Sequence, residues 1–279
     1  MKIKYLDDAF RSVKHAIRKQ RARSEIASRA VTPRPHDLHT PLVVSLTSFP
    51  PRFDRLAQTL KCLLLQTIAA DRTLLWIAHA DMLKLPKEVT ELTALGLEIK
   101  ACDDMRSYKK ILPTLAEEPH ATIVTADDDV YYSATWLENI VQGHIDQKAP
   151  VVCGRGHLIK LSDDGTPAPY QTWKMNHTPT GRSGRFFPTG VSGVLYAPGC
   201  FADDVTDWDT ASQLCPTGDD VWLYWMHRLN GIKAAKAAGR QRIIEWTANP
   251  PESLKTVNAT GGNDQQIKAM IDRYGFPPV

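Results

Sequence analysis

The chain has 279 residues, 43% of them hydrophobic, and a formal net charge of +3. It can bury one large core, but it lies too near charge balance for its whole surface to engage nucleic acid. No apolar run approaches the roughly 18 residues of a membrane span, and no apolar signal core stands near the N-terminus, so a cytoplasmic location is expected.

Five cysteines, Cys62, Cys102, Cys153, Cys200 and Cys215, are odd in number, far apart and free of C-x-x-C spacing. They are expected to be reduced and buried rather than paired or zinc-bound. Residues 1–36 form a basic amphipathic helical appendage and linker. Ile3, Leu6, Phe10, Val13 and Ile17 recur at helical spacing among Lys2, Lys4, Arg11, Lys14, Arg18, Lys19, Arg21 and Arg23, so one stripe is apolar and the rest cationic. Such a helix over residues 1–30 could lie peripherally on an anionic inner-membrane surface, or pack on the domain body or on a second copy in a homodimer. Thr32-Pro33-Arg34-Pro35-His36 ends it, and a single domain, residues 37–279, follows.

From Pro41 the chain alternates β-rich and helical patterns, which predicts an α/β sandwich with a mainly parallel sheet. Strands are expected at Leu42–Leu46, Thr73–Ala78, Leu97–Ala101 and Ala121–Ala126. Helices are expected at Phe53–Gln66 and Ser107–Leu115, then through Trp136, Leu137, Ile140 and Val141. In such a sheet ligands sit beyond the carboxyl ends of the strands, where this chain carries Thr47-Ser48, Asp103-Asp104 and Asp127-Asp128-Asp129. These clusters are expected to converge on one rim. Asp127 and Asp129, at i and i+2, can meet around one hard divalent cation. An acidic turn that caps the strand is the plainer reading.

Asp219-Asp220 opens an apolar helix, Val221–Leu229, closed by Asn230-Gly231, where acids also suit the helix dipole. Between the acidic motifs, Val151–Pro198 holds Tyr170, Trp173, Lys174, His177, Arg182, Arg185, Phe186 and Phe187. This segment reads either as a saccharide-binding loop with anion-binding arginines or as a surface loop with packed aromatics. Gly190–Tyr196 is expected to be a strand whose glycines admit a close neighbour. Trp222, Trp225, Trp246 and His227 are expected in the core. Asn258-Ala259-Thr260 matches the N-glycosylation pattern, and Thr260-Gly261-Gly262-Asn263-Asp264 could be a Gly-hinged closing loop or a free tail.

Over Pro41–Trp246 the order and spacing of these segments resemble the nucleotide-diphospho-sugar transferases of the type A glycosyltransferase fold, particularly bacterial enzymes of surface-polysaccharide synthesis. The resemblance implies a nucleotide-binding part at about 41–130, an acceptor-binding part at about 131–250 and a tail at 251–279. It makes Val43–Ser48 the nucleotide-binding strand and turn, and Ala126–Asp129 the D-x-D motif, in which Asp127 touches ribose or metal and Asp129 ligates Mn²⁺ or Mg²⁺. Thr47, Ser48, Arg52, Asp103, Asp104, Lys109, Asp127 and Asp128 would face a nucleotide-sugar, a UDP-sugar favoured. Trp173, Lys174, Arg182 and Arg185 would face a saccharide or lipid-linked acceptor. Asp220, with Asp219, takes the place of the catalytic base of an inverting transfer, although the family more often has Glu where this chain has Asp219. Some relatives complete the metal site with a C-terminal His, and this chain has none after His227. The rival chemistry for such acids is a two-metal nucleotidyl or phosphoryl transferase, and a non-catalytic scaffold is the third reading.

Overall fold

A computed structural model describes residues 2–239, 242–246 and 261–279, with the side chains of residues 2–11 outside that description. Helix α1, Lys2–Ser28, leads into strand β1, Leu42–Thr47; helix α2, Phe53–Leu64, joins it to strand β2, Arg72–Ala78. Strand β3, Leu97–Cys102, strand β4, Thr122–Ala126, and helix α5, Trp136–Gln147, follow. Two short helices, α3 (Lys87–Thr90) and α4 (Leu112–Glu117), lie on either side of β3 in the chain. Then come β5 (Val151–Cys153), β6 (Gly156–Leu158), β7 (Phe186–Pro188), β8 (Val194–Tyr196), α6 (Trp208–Leu214), α7 (Asp219–Leu229), β9 (Ala235–Lys236) and α8 (Asn263–Tyr274).

The main sheet has seven strands in the order β3-β2-β1-β4-β8-β5-β9, while β6 and β7 form a separate antiparallel ribbon. All pairings in the main sheet are parallel except those of β8, which runs antiparallel to both β4 and β5. Successive residues of a strand point to opposite faces. Leu42, Val44 and Leu46 therefore pack with α2 and α5 on one face, while Val43, Leu74 and Ile123 pack with α7 and α8 on the other. Both faces of β1, β2 and β4 are covered, so these strands are buried almost throughout rather than alternating, whereas the edge strand β3, with Glu98 and Lys100, is half-exposed. Strand order reverses between β1 and β4, and the crevice at such a reversal is where an open α/β sheet can receive a ligand.

Several expectations need correction. The helix expected over Ser107–Leu115 is a 3₁₀ turn at Arg106–Lys110 followed by α4, with Ile111 outside helical geometry between them. Pro113 lies in the first turn of α4, where its missing N–H costs nothing. Gly190–Tyr196 is strand only from Val194; Gly190–Ser192 is a 3₁₀ turn. Gly193 has φ 83°, and a β-carbon there would meet the Trp136 ring at 2.4 Å, so its glycine serves tight packing. The segment from Gly261 onward enters α8 rather than a tail. Thr260 and the Asn258-Ala259-Thr260 pattern lie outside the described residues.

All five cysteines are free and buried, and Trp222, Trp225, Trp246 and His227 are core residues. The C-terminal part of α1 belongs to the body. Ala22 and Ile26 are buried, and Arg29 donates to the carbonyls of Cys62, Leu65 and Tyr132. Further up the helix Val13 and Ile17 are exposed; Ile3, Leu6 and Phe10 lie outside the described side chains. Among the described residues no helix is long and apolar enough to cross a membrane.

Candidate active site

At the carboxyl end of β4 the chain leaves an apolar strand and three aspartates separate by direction. Asp128 turns inward and is 3% exposed. Ser48 Oγ donates to its Oδ2 at 2.5 Å and Arg52 Nη1 to its Oδ1 at 2.5 Å. Asp127 and Asp129 instead line a cleft of about 420 Å³. Arg52 Nη1 also stands 3.3 Å from Asp129 Oδ2. Burial pushes the Asp129 carboxyl up to about 7 against the opposing pull of Arg52, and it raises the Asp128 carboxyl in the same way. Burial acts to lower the Arg52 guanidinium, but Asp128 and Asp129 outweigh it and the pKa is raised.

A second cation joins this cluster to α7. Lys110 is 6% exposed, and its Nζ lies 3.1 Å from Asp127 Oδ1 and 2.9 Å from Asp219 Oδ2. Burial opposes its charge; Asp127, Asp219 and Asp220 outweigh burial and hold the ammonium well above its ordinary pKa. Asp220 faces the cleft in the first turn of α7, where its Oδ1 accepts from the Gly190 N–H at 3.0 Å. Burial, then the neighbouring Asp219, push Asp220 up to about 7, with Lys110 opposing. Gly190 is the pivot of the group. A β-carbon there would stand 3.1 Å from Lys110 Nζ, 3.2 Å from Asp220 Oδ1 and 3.6 Å from Asp127 Oδ1. Two acidic motifs about ninety residues apart in the chain thus meet around one backbone position.

The far wall comes from the β6–β7 ribbon and the loop between its strands. Arg155, His157, Tyr170, Met175, Phe187 and Thr189 line it. His157 is 2% exposed and its Nδ1 accepts from the Asn176 N–H at 3.1 Å, which leaves the proton on Nε2. Burial, then Arg155, lower its pKa to about 4. Tyr170 stacks its ring at 4.8 Å from Trp173 and 6.3 Å from Phe187. Helix α8 braces this wall: Asp264 accepts from the Tyr170 N–H at 2.7 Å and Gln266 from the Thr217 N–H at 3.0 Å, while Asn263 lines the cleft.

The other residues singled out from the sequence stand elsewhere. Thr47 Oγ1 donates to the Trp76 carbonyl at 2.8 Å, a bond within the sheet. The acidic pair at the end of β3 does not converge with the β4 cluster. Asp103 and Asp104 are exposed and absent from the cleft lining, since two strands separate β3 from β4 and strand spacing alone puts roughly 14 Å between them. Lys109 pairs with Asp104; the lysine of that turn that reaches the cleft is Lys110. Trp173 is buried and donates to the Ala168 carbonyl. Lys174 pairs through its backbone with Leu158, and Arg182 donates to the Lys148 carbonyl. None of Trp173, Lys174, Arg182 and Arg185 lines the cleft. Sequence reasoning missed Lys110 and Arg155 as cleft residues. Pairing of Gly156–Leu158 with Phe186–Pro188 is what turns Arg155 inward, and the runs are too short to announce themselves as strands.

The donor set fits a divalent cation in part. Asp127 and Asp129 present hard carboxylate oxygens on one side of the cleft, leaving other positions to a ligand's oxygens and water, as suits Mg²⁺ or Mn²⁺. Among the described residues no group of three or more His, Cys, Asp or Glu could hold a metal ion.

No family model and no curated protein matches the sequence. Among solved structures, the chain superposes on that of S. aureus TarS 1–349 in complex with UDP with a TM-score of 0.48 and 10% identity, over 83% of this chain. It spans 65% of the length of that structure.

Proposed function

We propose that this chain is a metal-dependent glycosyltransferase that moves a sugar from a nucleotide-diphosphate donor, a UDP-sugar by preference, to a hydroxyl of a saccharide or lipid-linked saccharide in bacterial surface-polysaccharide synthesis. One observation carries the reading: Asp220 and the Asp127/Asp129 pair line a single cleft at the strand-order reversal, where the Gly190 N–H holds Asp220 and Lys110 pairs with Asp127. The place is where an α/β sheet binds ligands, and the groups are those that a displacement at an anomeric carbon requires.

In that displacement the acceptor hydroxyl gives its proton to Asp220, its oxygen forms the new bond to the anomeric carbon, and the bond from that carbon to the donor phosphate breaks. Attack opposite the leaving diphosphate inverts the configuration. A carboxylate whose pKa is raised to about 7 is a stronger base than an ordinary aspartate and matches the working pH better. Gly190 N–H holds one of its oxygens, leaving the other for the hydroxyl. Mn²⁺ or Mg²⁺ bound by Asp127 and Asp129 would neutralise charge on the departing diphosphate. Lys110, beside Asp127 and screened from water, adds a fixed positive charge at the same end of the cleft.

The test is thermal stabilisation by UDP and by a panel of nucleotide-sugars, with and without Mn²⁺, because a ligand that binds only the native state raises its stability in proportion to affinity. Manganese-dependent stabilisation that disappears in Asp129→Asn, with the metal-free melting curve intact, supports the reading. Stabilisation by no nucleotide, or a response unaffected by that substitution, overturns it.

A further inference from the structure

We propose that Arg155 forms an anion-binding subsite for the acceptor, so that the preferred acceptor is a saccharide carrying a carboxylate or phosphate; this rests on the transferase reading for the word acceptor, but not for the binding itself. Among the described residues three cations, Arg52, Lys110 and Arg155, line the cleft, and they differ in one respect. Arg52 and Lys110 are each in ion pairs with two aspartates. Among the described residues no carboxylate lies within ion-pair distance of Arg155, and burial lowers its pKa.

Its guanidinium is nevertheless held in place. Nε donates to Asn176 Oδ1, and Nη1 donates to Thr189 Oγ1 at 3.1 Å. The Thr189 N–H returns a bond to the Arg155 carbonyl at 3.0 Å. Asn176 adopts a left-handed conformation, φ 52°, which asparagine accepts more readily than most side chains. From there its backbone N–H reaches His157 while its side chain reaches Arg155. His157 is neutral, so it adds no competing charge. The second guanidinium nitrogen, Nη2, makes no hydrogen bond among the described residues, and the residue lines the cleft. Arg155 is half-buried, and Asp220 acts on it only through space, beyond ion-pair distance; an oriented cation in that setting gains when a ligand supplies a contacting counter-ion.

Its position decides which ligand. Thr189 holds Arg155 and the next residue, Gly190, holds Asp220, so the two side chains are tied to consecutive residues of one segment. An anion gripped by Arg155 is thereby fixed relative to the base. Tyr170, half-buried on the same wall as Arg155 and backed by the buried Phe187, offers an apolar ring face for a sugar.

A matched series differing only at C6 tests this by ligand-observed NMR titration of protein saturated with UDP and diamagnetic Mg²⁺: methyl glucoside, methyl glucuronide and methyl glucoside 6-phosphate. The wild type is expected to bind one or both anionic sugars about 10- to 100-fold more tightly than the neutral one, the range for charge-assisted hydrogen bonds. Arg155→Gln is expected to abolish that preference, and Arg155→Lys to restore part of it, with UDP affinity unchanged in both. Which anionic sugar shows the preference tells carboxylate from phosphate. Equal binding of neutral and anionic sugars, or a preference that survives Arg155→Gln, overturns the proposal. So does a loss of UDP affinity in Arg155→Gln, which would assign the guanidinium to the donor phosphates. If wild-type protein binds no nucleotide and the anionic preference, titrated without UDP, still depends on Arg155, the transferase reading fails while the subsite stands.

Discussion

The Gly190 N–H lies 3.0 Å from Asp220 Oδ1, and the space beside Gly190 is filled by the charged ends of Lys110, Asp220 and Asp127. Gly190 has an ordinary backbone conformation, so its lack of a side chain serves the site and not the turn. Gly190→Ala would push its methyl within 3.1 Å of Lys110 Nζ and 3.2 Å of Asp220 Oδ1, tighter than such contacts usually run. Displacing a base by even about 1 Å can cost on the order of 100-fold in rate. A fall of that size in kcat, with Mn²⁺-dependent UDP binding retained, is expected from steady-state kinetics beside calorimetric titration. A variant with wild-type kcat would remove Gly190 from the argument.

Asp220→Asn separates the base from the binding residues. The amide can still accept from the Gly190 N–H but cannot take a proton, so turnover should fall about 100- to 10,000-fold, the range for a lost general base. Donor affinity should hold. Asp129→Asn should show the reverse order of effects, with metal-dependent donor binding lost first. If both variants lose donor binding equally, Asp220 is part of the donor site and the assignment of roles is wrong.

The strands of the first half were legible because they are five to seven residues long and, except for the half-exposed Leu97–Cys102, apolar on both faces: Leu42–Thr47, Arg72–Ala78, Leu97–Cys102 and Thr122–Ala126 lie within a residue or so of their expected limits. Their placement made the cluster at Asp127–Asp129 stand out from an ordinary acidic turn. Sheet order was not legible. Glu98 and Lys100 mark β3 as half-exposed, but nothing local says that two strands separate it from β4, which is why Asp103 and Asp104 were expected on a rim they do not reach. The second half was harder, because β5 to β9 have two or three residues each and owe their shape to tertiary packing rather than periodicity. Arg155 was hidden for that reason, and Lys110 for a different one. Adjacent lysines in a 3₁₀ turn point in different directions, and which one enters the cleft follows from tertiary contacts of that turn, such as the bond from the Tyr108 hydroxyl to the Cys215 carbonyl at 2.7 Å and the Lys110 pairs with Asp127 and Asp219.

Asn176 offers a comparison that separates side chain from backbone. Its φ of 52° suits glycine and strains alanine by about 1 to 2 kcal/mol. Asn176→Gly and Asn176→Ala both remove the amide that orients Arg155. Both are therefore expected to weaken binding of an anionic sugar several-fold, while only Asn176→Ala should also lower the melting temperature by a few degrees. Unchanged anionic-sugar binding in Asn176→Gly would show that Arg155 is oriented by Thr189 alone.

His227 sets an acid limit on stability. It is 1% exposed, and its Nδ1 sits 3.0 Å from the Ile232 carbonyl, so the neutral ring keeps its proton there. Burial, opposed by the Ile232 bond and aided by the neighbouring Arg228, lowers its pKa to about 3. In the unfolded chain the ring titrates near its ordinary value of about 6.5. The folded pKa is depressed, so above about 6.5 neither state binds a proton and the residue adds no pH dependence; as pH falls below that value the unfolded chain gains the proton first and stability is lost. Asp129 and Asp220, with folded pKa values raised to about 7, act in the opposite sense over the same interval and mask the effect in the wild type alone. The difference between wild type and His227→Gln cancels them. Between pH 6.5 and 4 the variant should gain on the wild type by about 1.4 kcal/mol per pH unit, read from urea unfolding at each pH. Parallel curves would mean that the ring is already charged in the folded protein, or that it titrates alike in both states, and would contradict the buried neutral histidine at the end of α7.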